Sequence, residues 1–309
     1  MIVDLLLIAG GLGLLVLGGD ALVRGAVALS LRLGITPLVV GLTVVAFGTS
    51  APEMLVSLMA ALSGSTDIAL GNVVGSNIAN VLVILGATAL VAPVDPRGHD
   101  LRESWMMMIA ASVMIIVLAL MGPLGWGQGL ILLLALVLVL WRQIATARPE
   151  DATDLGTADV GGMPPAKIAM WLAIGLVALP VGAQLLVTGA TSIARAYGVS
   201  EAVIGLTLVA VGTSLPELAA SVASAIKGRA DMALGNVVGS NIFNLLSILG
   251  VTALIAPLPV PAQMVRFDLW VMLAAALLLG PFLFRGIRIG RRIGAALLAA
   301  YAAYVWVLL

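Results

Sequence analysis

Two glutamates, Glu53 and Glu217, lie in the middle of long apolar stretches, where a charged side chain is costly. Each ends the same run, Gly-Thr-Ser-X-Pro-Glu, so a carboxylate follows two hydroxyls at a fixed spacing twice in the chain. A charge near the centre of a bilayer costs about 2.5–3.5 kcal/mol on insertion scales, and such groups mark ion or substrate pathways. A protonated glutamate in a helix contact is the simpler alternative, but it does not explain why both copies carry Glu.

The two runs belong to a longer repeat. Residues 41–93 and 205–257 align without a gap, and 34 of the 53 aligned residues are identical. Each copy continues with Gly-Asn-Val-Val-Gly-Ser-Asn-Ile-X-Asn, at residues 71–80 and 235–244. Duplication of a packing unit would preserve Leu, Ile and Gly, whereas here Thr, Ser, Asn and Glu are also shared. The polar residues therefore indicate one functional site assembled from two copies.

The repeat supplies oxygen donors and contains no His or Cys. Ca²⁺ takes about 6–8 oxygen ligands in a flexible geometry, and two glutamates would balance its charge. Hydroxyl and carbonyl oxygens also suit Na⁺, whereas Zn²⁺ and Cu⁺ prefer nitrogen or sulfur. If the same glutamates serve either one Ca²⁺ or several Na⁺ or H⁺, the two occupancies exclude each other, which is the physical basis of exchange.

Pro52 and Pro216 stand directly before the glutamates and predict a break in each helix. Proline lacks the N–H that a helix needs, and Gly48 and Gly212 permit unusual backbone angles just before it. A broken helix is tolerated at membrane depth where other groups or an ion satisfy the freed carbonyl oxygens. The breaks therefore favour ion binding beside the glutamates.

Composition identifies the surroundings of this site. Hydrophobic residues make up 62% of the chain, charged residues 10%, and the mean hydropathy is +1.20, which predicts an all-α integral membrane protein in contact with lipid. There is no Cys, and nothing supports nucleic-acid binding. Ser50 and Ser214 have no histidine base in the repeats, so we expect neither an enzyme nor a bound cofactor.

Apolar runs predict ten transmembrane helices, arranged as five plus five. The first five-helix repeat covers 1–145, a cytoplasmic linker covers 146–166, and the second repeat covers 167–309. The predicted spans are 2–29, 37–63, 67–93, 103–121, 124–145, 167–194, 201–226, 231–257, 265–284 and 290–309.

An odd number of spans in each half makes the second repeat enter the membrane from the opposite side, giving an inverted-topology pair. With both termini extracytoplasmic, thirteen Lys and Arg residues fall in cytoplasmic loops or at their edges, and only Arg195 and Arg266 fall outside. This positive-inside bias predicts the orientation. The Arg-rich usage and minimal loops are typical of a prokaryotic cytoplasmic membrane.

The paired signatures, the ten-helix length and the inverted halves resemble the Ca²⁺/cation antiporters, most closely the prokaryotic sodium/calcium exchangers, over the whole chain. The resemblance implies an antiporter that moves Ca²⁺ against Na⁺ by alternating access, with cation sites near the membrane midplane. Glu53 and Glu217 would bind Ca²⁺ and share in Na⁺ binding, and Thr49 and Thr213 would add backbone oxygens to Ca²⁺. The Na⁺ sites would use Ser50, Ser214, Ser76 and Ser240 with the carbonyls of Ala46 and Ala210, and Asn80 and Asn244 would lie at the central site.

Two departures bear on the coupling ion. Asn244 stands where some relatives, including the potassium-dependent branch, have Asp, so K⁺ cotransport is disfavoured. The proton-coupled branch carries an acidic residue near the positions of Ser76 and Ser240, which is missing here. A Ca²⁺/H⁺ antiporter is therefore the alternative to Na⁺/Ca²⁺ exchange, and a cation channel comes third, because midplane sites between inverted repeats suit alternating access. No segment indicates a protein partner, which is compatible with a monomer.

Three smaller expectations concern residues outside the signatures. Asp20 and Arg24 are spaced to pair across one helical turn. The run 106–108 of three methionines is typical of a lipid-facing or packing surface. The first and sixth spans should be the moving parts, and the glycines of the first, at positions 10, 11, 13, 18 and 19, should allow close and smooth helix contact.

Overall fold

The structure is a computed structural model that describes residues 2–97, 101–146, 162–198 and 210–308. The described residues form twelve helices, which fall into two sets of six. They are α1 (Ile2–Leu33), α2 (Pro37–Thr49), α3 (Ala51–Leu62), α4 (Thr66–Val91), α5 (Arg102–Met121), α6 (Trp126–Ala145), α7 (Pro165–Ala196), α8 (Ala210–Thr213), α9 (Leu215–Ile226), α10 (Ala230–Ile255), α11 (Met264–Arg285) and α12 (Arg291–Leu308).

These helices correspond to the predicted spans. Eight single helices in the described part of the chain are long and apolar enough to cross a membrane. Helices α2 and α3, which are bent by 42° relative to each other, are together long and apolar enough for a ninth span. The predicted span 201–226 corresponds to α8 and α9, and its first nine residues lie outside the described ranges. The all-α membrane fold is confirmed, and the count of ten spans is consistent with it.

Both predicted helix breaks are present, and they have the same geometry. Ser50 interrupts the first helix with φ −80° and ψ 5°, and Ser214 interrupts the second with φ −89° and ψ 4°. Pro52 and Pro216 lie in the first turn of α3 and α9, where the missing N–H costs no helical hydrogen bond. In both halves the glutamate therefore lies in the first turn of the helix that follows the break.

Helices α4 and α10 occupy the centre of the bundle, and most of their residues are enclosed by other helices. Each contains a π-helical segment, Asn80–Ile84 in α4 and Asn244–Ile248 in α10. Single π turns inside α-helices occur frequently at functional sites. Here each begins at an asparagine that the sequence places in the candidate site.

Helices α1 and α7 lie at the periphery and pack antiparallel against each other. Each has 32 residues and is therefore about 48 Å long, well beyond the roughly 30 Å hydrocarbon core. At their crossing, a Cβ on Gly11 would lie 2.6 Å from the carbonyl oxygen of Gly182. Gly10 and Gly13, in contrast, have no atom within 4 Å of such a Cβ, so the expectation that they line the contact is wrong. They point away from the partner helix.

A short backbone pairing recurs in the two halves. Val94 and Ile289 exchange two hydrogen bonds of 3.0 and 2.8 Å, and Leu124 and Leu258 exchange two of 2.9 Å. Val94 and Leu258 are 164 positions apart, which is the offset of the sequence repeat. Each bridge joins a loop of one half to a loop of the other, so the halves are clamped at two equivalent corners.

Candidate cation site

The two glutamates meet at the centre of the molecule. Glu53 is 1% exposed and Glu217 is 2% exposed. The hydroxyl of Ser50 donates to Glu217 Oε1 over 3.0 Å, and the hydroxyl of Ser214 donates to Glu53 Oε1 over 3.3 Å. Each half therefore supplies the hydroxyl for the carboxylate of the other half. Reciprocal contacts of this kind are what a two-fold relationship between the halves requires.

A pair of asparagines holds the glutamate helices in place. Asn72 donates to the carbonyl oxygen of Glu53 over 3.1 Å and to the hydroxyl of Ser57 over 2.9 Å. The matching Asn236 donates to the carbonyl oxygen of Glu217 over 3.2 Å and to the hydroxyl of Ser221 over 3.0 Å. Sequence reasoning did not single out these asparagines, although their presence in both copies was a signal for them.

Thr49 connects the two halves through one of these asparagines. Its hydroxyl lies 3.3 Å from Asn236 Oδ1 and 3.4 Å from the carbonyl oxygen of Ala46. The Ala46 carbonyl also accepts the backbone N–H of Ser50 over 3.0 Å, which closes the last turn before the break. The predicted ligands Thr49, Ser50 and Ala46 thus lie within one turn of backbone that faces the second half.

A second asparagine network crosses between α4 and α10. Asn80 Nδ2 donates to Asn241 Oδ1 over 2.9 Å, and Asn241 Nδ2 donates to the carbonyl oxygen of Asn77 over 3.3 Å. Because a backbone carbonyl only accepts, it fixes the amide orientation of Asn241, and Asn241 in turn fixes that of Asn80. The Oδ1 atom of Asn80 is left without a hydrogen-bond partner.

Met108 takes part in this network from outside the repeats. Its sulfur accepts from Asn241 Nδ2 over 3.5 Å, and the residue is fully buried. Of the two environments expected for the methionine run, Met108 therefore has the packing one, whereas Met106 is 52% exposed. No sequence pattern indicated that Met108 contacts the candidate site.

Buried oxygens without partners are concentrated in this region. They are all acceptors or hydroxyls, and they come from both halves: Oε2 of Glu53 and Glu217, Oδ1 of Asn77, Asn80 and Asn244, and Oγ of Ser240. Buried polar atoms are nearly always paired, so such a group needs a stated reason. A cation satisfies carboxylate and amide oxygens together, and the donor set therefore fits one.

The remaining predicted site residues are placed as follows. Asn244 and Ser240 are buried on α10, and Ser76 is 5% exposed on α4. Thr213 is half-buried at the end of α8. Ala210 begins α8, and only its helical backbone is described.

The charge of the site limits how it can hold an ion. Neither glutamate forms an ion pair with a described Lys or Arg. Glu217 lies close enough to Glu53 for the two carboxylates to repel each other. Among the described residues, no three His, Cys, Asp or Glu side chains form a metal-binding group. Any cation here is thus held by two carboxylates at most, with neutral oxygens completing its shell. Few charged ligands give weaker and more readily exchanged binding.

Comparison with known proteins identifies the family. The model of the sodium/calcium exchanger protein family matches residues 3–145 and 167–309. The putative antiporter CaxA of Alkalimonas amylolytica is 40% identical over 319 residues, which cover 100% of this chain and 99% of the relative. The inner membrane protein YrbG of Escherichia coli is 38% identical over 315 residues, with 99% and 96% coverage. The sodium/calcium exchanger MaX1 of Methanosarcina acetivorans is 34% identical over 346 residues, with 99% and 98% coverage.

A solved structure has the same fold. It is the sodium-calcium exchanger NCX_Mj from crystals soaked with 2.5 mM Na⁺ and 0.1 mM Ca²⁺. Its TM-score to this chain is 0.85 at 32% sequence identity, and the alignment covers 99% of this chain and 98% of that one. The chain is therefore a multi-pass membrane protein that belongs to the sodium/calcium exchanger protein family, a family of cation antiporters rather than enzymes.

Proposed function

We propose that this protein exchanges Na⁺ for Ca²⁺ across the membrane by alternating access. The observation that carries the proposal is the meeting of Glu53 and Glu217, one from each half, in a buried group of unpaired oxygens. Two adjacent carboxylates repel each other in a medium of low dielectric constant, and cations relieve that repulsion. One Ca²⁺ neutralises both glutamates, and so do two Na⁺, with a third held by neutral oxygens.

The proposed ligands divide between the two ions. Glu53 and Glu217 bind Ca²⁺ with backbone oxygens of Thr49 and Thr213. The flanking Na⁺ sites use the same two carboxylates with Ser50, Ser214, Ser76 and Ser240 and the carbonyls of Ala46 and Ala210, while Asn80 and Asn244 face the central position. Because both ions need the same two carboxylates, Na⁺ entry displaces Ca²⁺. Competition of this kind couples the two fluxes.

Na⁺ is favoured over H⁺ as the coupling ion by the neutral residues of the site. Asn80, Asn244, Ser76 and Ser240 neither gain nor lose a proton at physiological pH, and each offers an oxygen to a cation. Ca²⁺/H⁺ exchange is the second candidate, since one oxygen of each glutamate lacks a partner and a proton would also satisfy it. Proton coupling would then depend on Glu53 and Glu217 alone.

The test is uptake of radiolabelled Ca²⁺ by proteoliposomes of purified protein that are loaded with Na⁺, with K⁺, or with an acidic buffer. We expect uptake to follow the outward Na⁺ gradient and to disappear in Glu53→Gln and in Glu217→Gln. Glu103→Gln is the matched control, because Glu103 is a half-exposed carboxylate paired with Arg142 outside the site. Uptake that follows only the pH gradient would establish proton exchange instead, and flux indifferent to every gradient would indicate a channel.

A further inference from the structure

Six arginines lie at one of the two clamped corners, where the loop after α4 meets the segment between α11 and α12. We call them the arginine corner; they are Arg97, Arg102, Arg285, Arg288, Arg291 and Arg292. The Val94–Ile289 bridge joins the two segments. Arg102 donates to the carbonyl oxygen of Phe284 over 3.4 Å, and Arg291 donates to that of Leu90 over 3.1 Å. All six side chains are exposed.

The corner carries an excess of positive charge. Asp95 is its one carboxylate among the described residues, and Arg97 holds the pKa of Asp95 down to about 2, so that it is ionised at neutral pH and balances one arginine. Glu103 is paired with Arg142 on α6 and is not available to the corner. Among the described residues, six arginines and one carboxylate give the corner a net charge of +5. Asp100 belongs to the sequence here but lies outside the described residues.

The opposite corner shows that the fold does not need a group of six arginines. Leu124 and Leu258 form the equivalent backbone bridge there, and residues 121–128 and 256–266 around it include one charged side chain, Arg266, which is the repeat counterpart of Arg102. Arg102 and Arg291 also stand in the first turns of α5 and α12, where the helix dipole disfavours a cation. These two arginines are thus placed against local helix stability, whereas Arg285 lies in the last turn of α11, where the dipole favours a cation.

A general preference for positive charge on the cytoplasmic side accounts for the sign of these residues but not for their grouping. Thirteen Lys and Arg residues are assigned to that side, and six of them gather at this single corner. The guanidinium group presents a planar fork of donors that matches phosphate oxygens. Trp105 and Phe284 lie beside the corner with ring centroids 5.3 Å apart, and aromatic rings are enriched where membrane proteins meet lipid headgroups.

We propose that the arginine corner binds the phosphate headgroups of anionic phospholipids in the cytoplasmic leaflet. Juxtamembrane basic groups are attracted to anionic lipid within about one Debye length of the surface. The bound lipids bridge the two halves, because Arg97 and Arg102 belong to the first half and the other four arginines to the second. Their occupancy therefore stabilises the clamp between the halves.

The test is the melting temperature of the purified protein in detergent with added phosphatidylglycerol, with added phosphatidylcholine, or with inorganic phosphate. We expect phosphatidylglycerol to raise it by several degrees, and the other two to leave it unchanged. Choline chloride, which screens charge without supplying a transported ion, should reduce the effect. Native mass spectrometry should show phosphatidylglycerol retained on the protein. Equal stabilisation by the two lipids, or by inorganic phosphate, would overturn the proposal.

The triple variant Arg285→Gln/Arg288→Gln/Arg292→Gln removes half of the arginines, so we expect the shift produced by phosphatidylglycerol to fall by about half or more. The control is Arg32→Gln/Lys167→Gln, which removes exposed cytoplasmic charges on α1 and α7, and it should keep the full shift. The triple Arg→Lys variant, which keeps the charge, should retain most of it. An equal loss in the control and in the triple Gln variant would show that only total charge matters and would refute a site at this corner.

Discussion

The ammonium group of Lys227 lies 2.6 Å from Asp20 Oδ1 and joins the long helix α1 to the end of α9, the helix that carries Glu217. Arg24 binds the other oxygen of the same carboxylate over 2.7 Å, as its spacing predicted, whereas the contact with Lys227 spans 207 positions. The matching residues of the other half are Gln184 and Ser63, which have no charge. The ion pair therefore exists on one side only, and on the predicted topology that side is cytoplasmic.

This asymmetry predicts a bias between the two open states. If α1 slides over the core and the pair forms only when the cytoplasmic side is closed, Lys227→Gln removes a contact that stabilises that closed state. The pair is partly exposed, so its contribution is below about 1 kcal/mol and the shift is at most about fivefold. We expect the KM for Ca²⁺ to fall on the cytoplasmic face and to rise on the outer face, measured in vesicles of opposite orientation. Arg32→Gln, the same change of charge at the end of α1, should alter neither KM, and equal changes on both faces in Lys227→Gln would contradict the bias.

The contact between α1 and α7 predicts which glycines matter for turnover. A methyl group on Gly182 would lie 2.9 Å from the carbonyl oxygen of Gly11, a distance that backbone atoms cannot accommodate without moving. Gly182→Ala should therefore slow Ca²⁺ transport by about tenfold, as overpacking of 1–3 kcal/mol implies. Equilibrium Ca²⁺ binding should change little. Gly13→Ala adds the same methyl group where nothing is within 4 Å, and it should be silent. Loss of binding in parallel with transport would show that the contact is structural only.

The asparagine network predicts an effect at a distance from the carboxylates. Asn241→Ala removes the acceptor that orients Asn80, so the Asn80 amide can turn its NH₂ group towards the ion. We expect Ca²⁺ affinity to fall by about tenfold, since one oriented hydrogen bond contributes roughly 1 kcal/mol and an unpaired polar group costs more. Met108→Leu should have a smaller effect in the same direction. Ser112→Ala, which removes a hydroxyl bonded to the Met108 backbone, is the control. Isothermal calorimetry measures all three, and unchanged affinity in Asn241→Ala would exclude the orienting role.

The proposed exchange of three Na⁺ for one Ca²⁺ moves one net charge in each cycle. A membrane potential of about 100 mV then contributes roughly 2.3 kcal/mol to the driving force. We expect Ca²⁺ uptake by Na⁺-loaded proteoliposomes to increase when the interior is made positive relative to equal clamping at zero potential, with the potential set by a K⁺ gradient and an ionophore. Insensitivity to the potential would instead indicate an electroneutral exchange of two Na⁺ for one Ca²⁺.

The membrane setting explains why so much was predictable from the sequence. Polar residues are rare inside apolar spans, so Glu53, Glu217 and the shared Ser, Thr and Asn residues were conspicuous as a set. Local chemistry also predicted the helix breaks, because proline acts within its own turn. The roles of these residues as ligands stay predictions.

The contacts that could not be predicted join residues distant in the sequence. Lys227 forms an ion pair with Asp20, and the sulfur of Met108 accepts a hydrogen bond from Asn241. Ser50 donates to the glutamate of the other half rather than to that of its own half. Such pairings depend on how the helices cross, and a repeat at an offset of 164 positions does not specify crossing angles. Asn72 and Asn236 occupy the same position in the two copies of the repeat. Only the structure shows that they donate to the backbone carbonyl oxygens of the two glutamates.

The reciprocal hydrogen bonds from Ser50 to Glu217 and from Ser214 to Glu53 have a consequence for biogenesis. The first five spans leave the ribosome before α9 exists, so Glu53 is inserted without the serine that later binds it. The nascent first half therefore carries an incomplete polar centre that only the second half can satisfy. Maturation of this antiporter should finish with the docking of its two halves, and a truncated chain that ends in the linker should be retained by membrane chaperones and degraded.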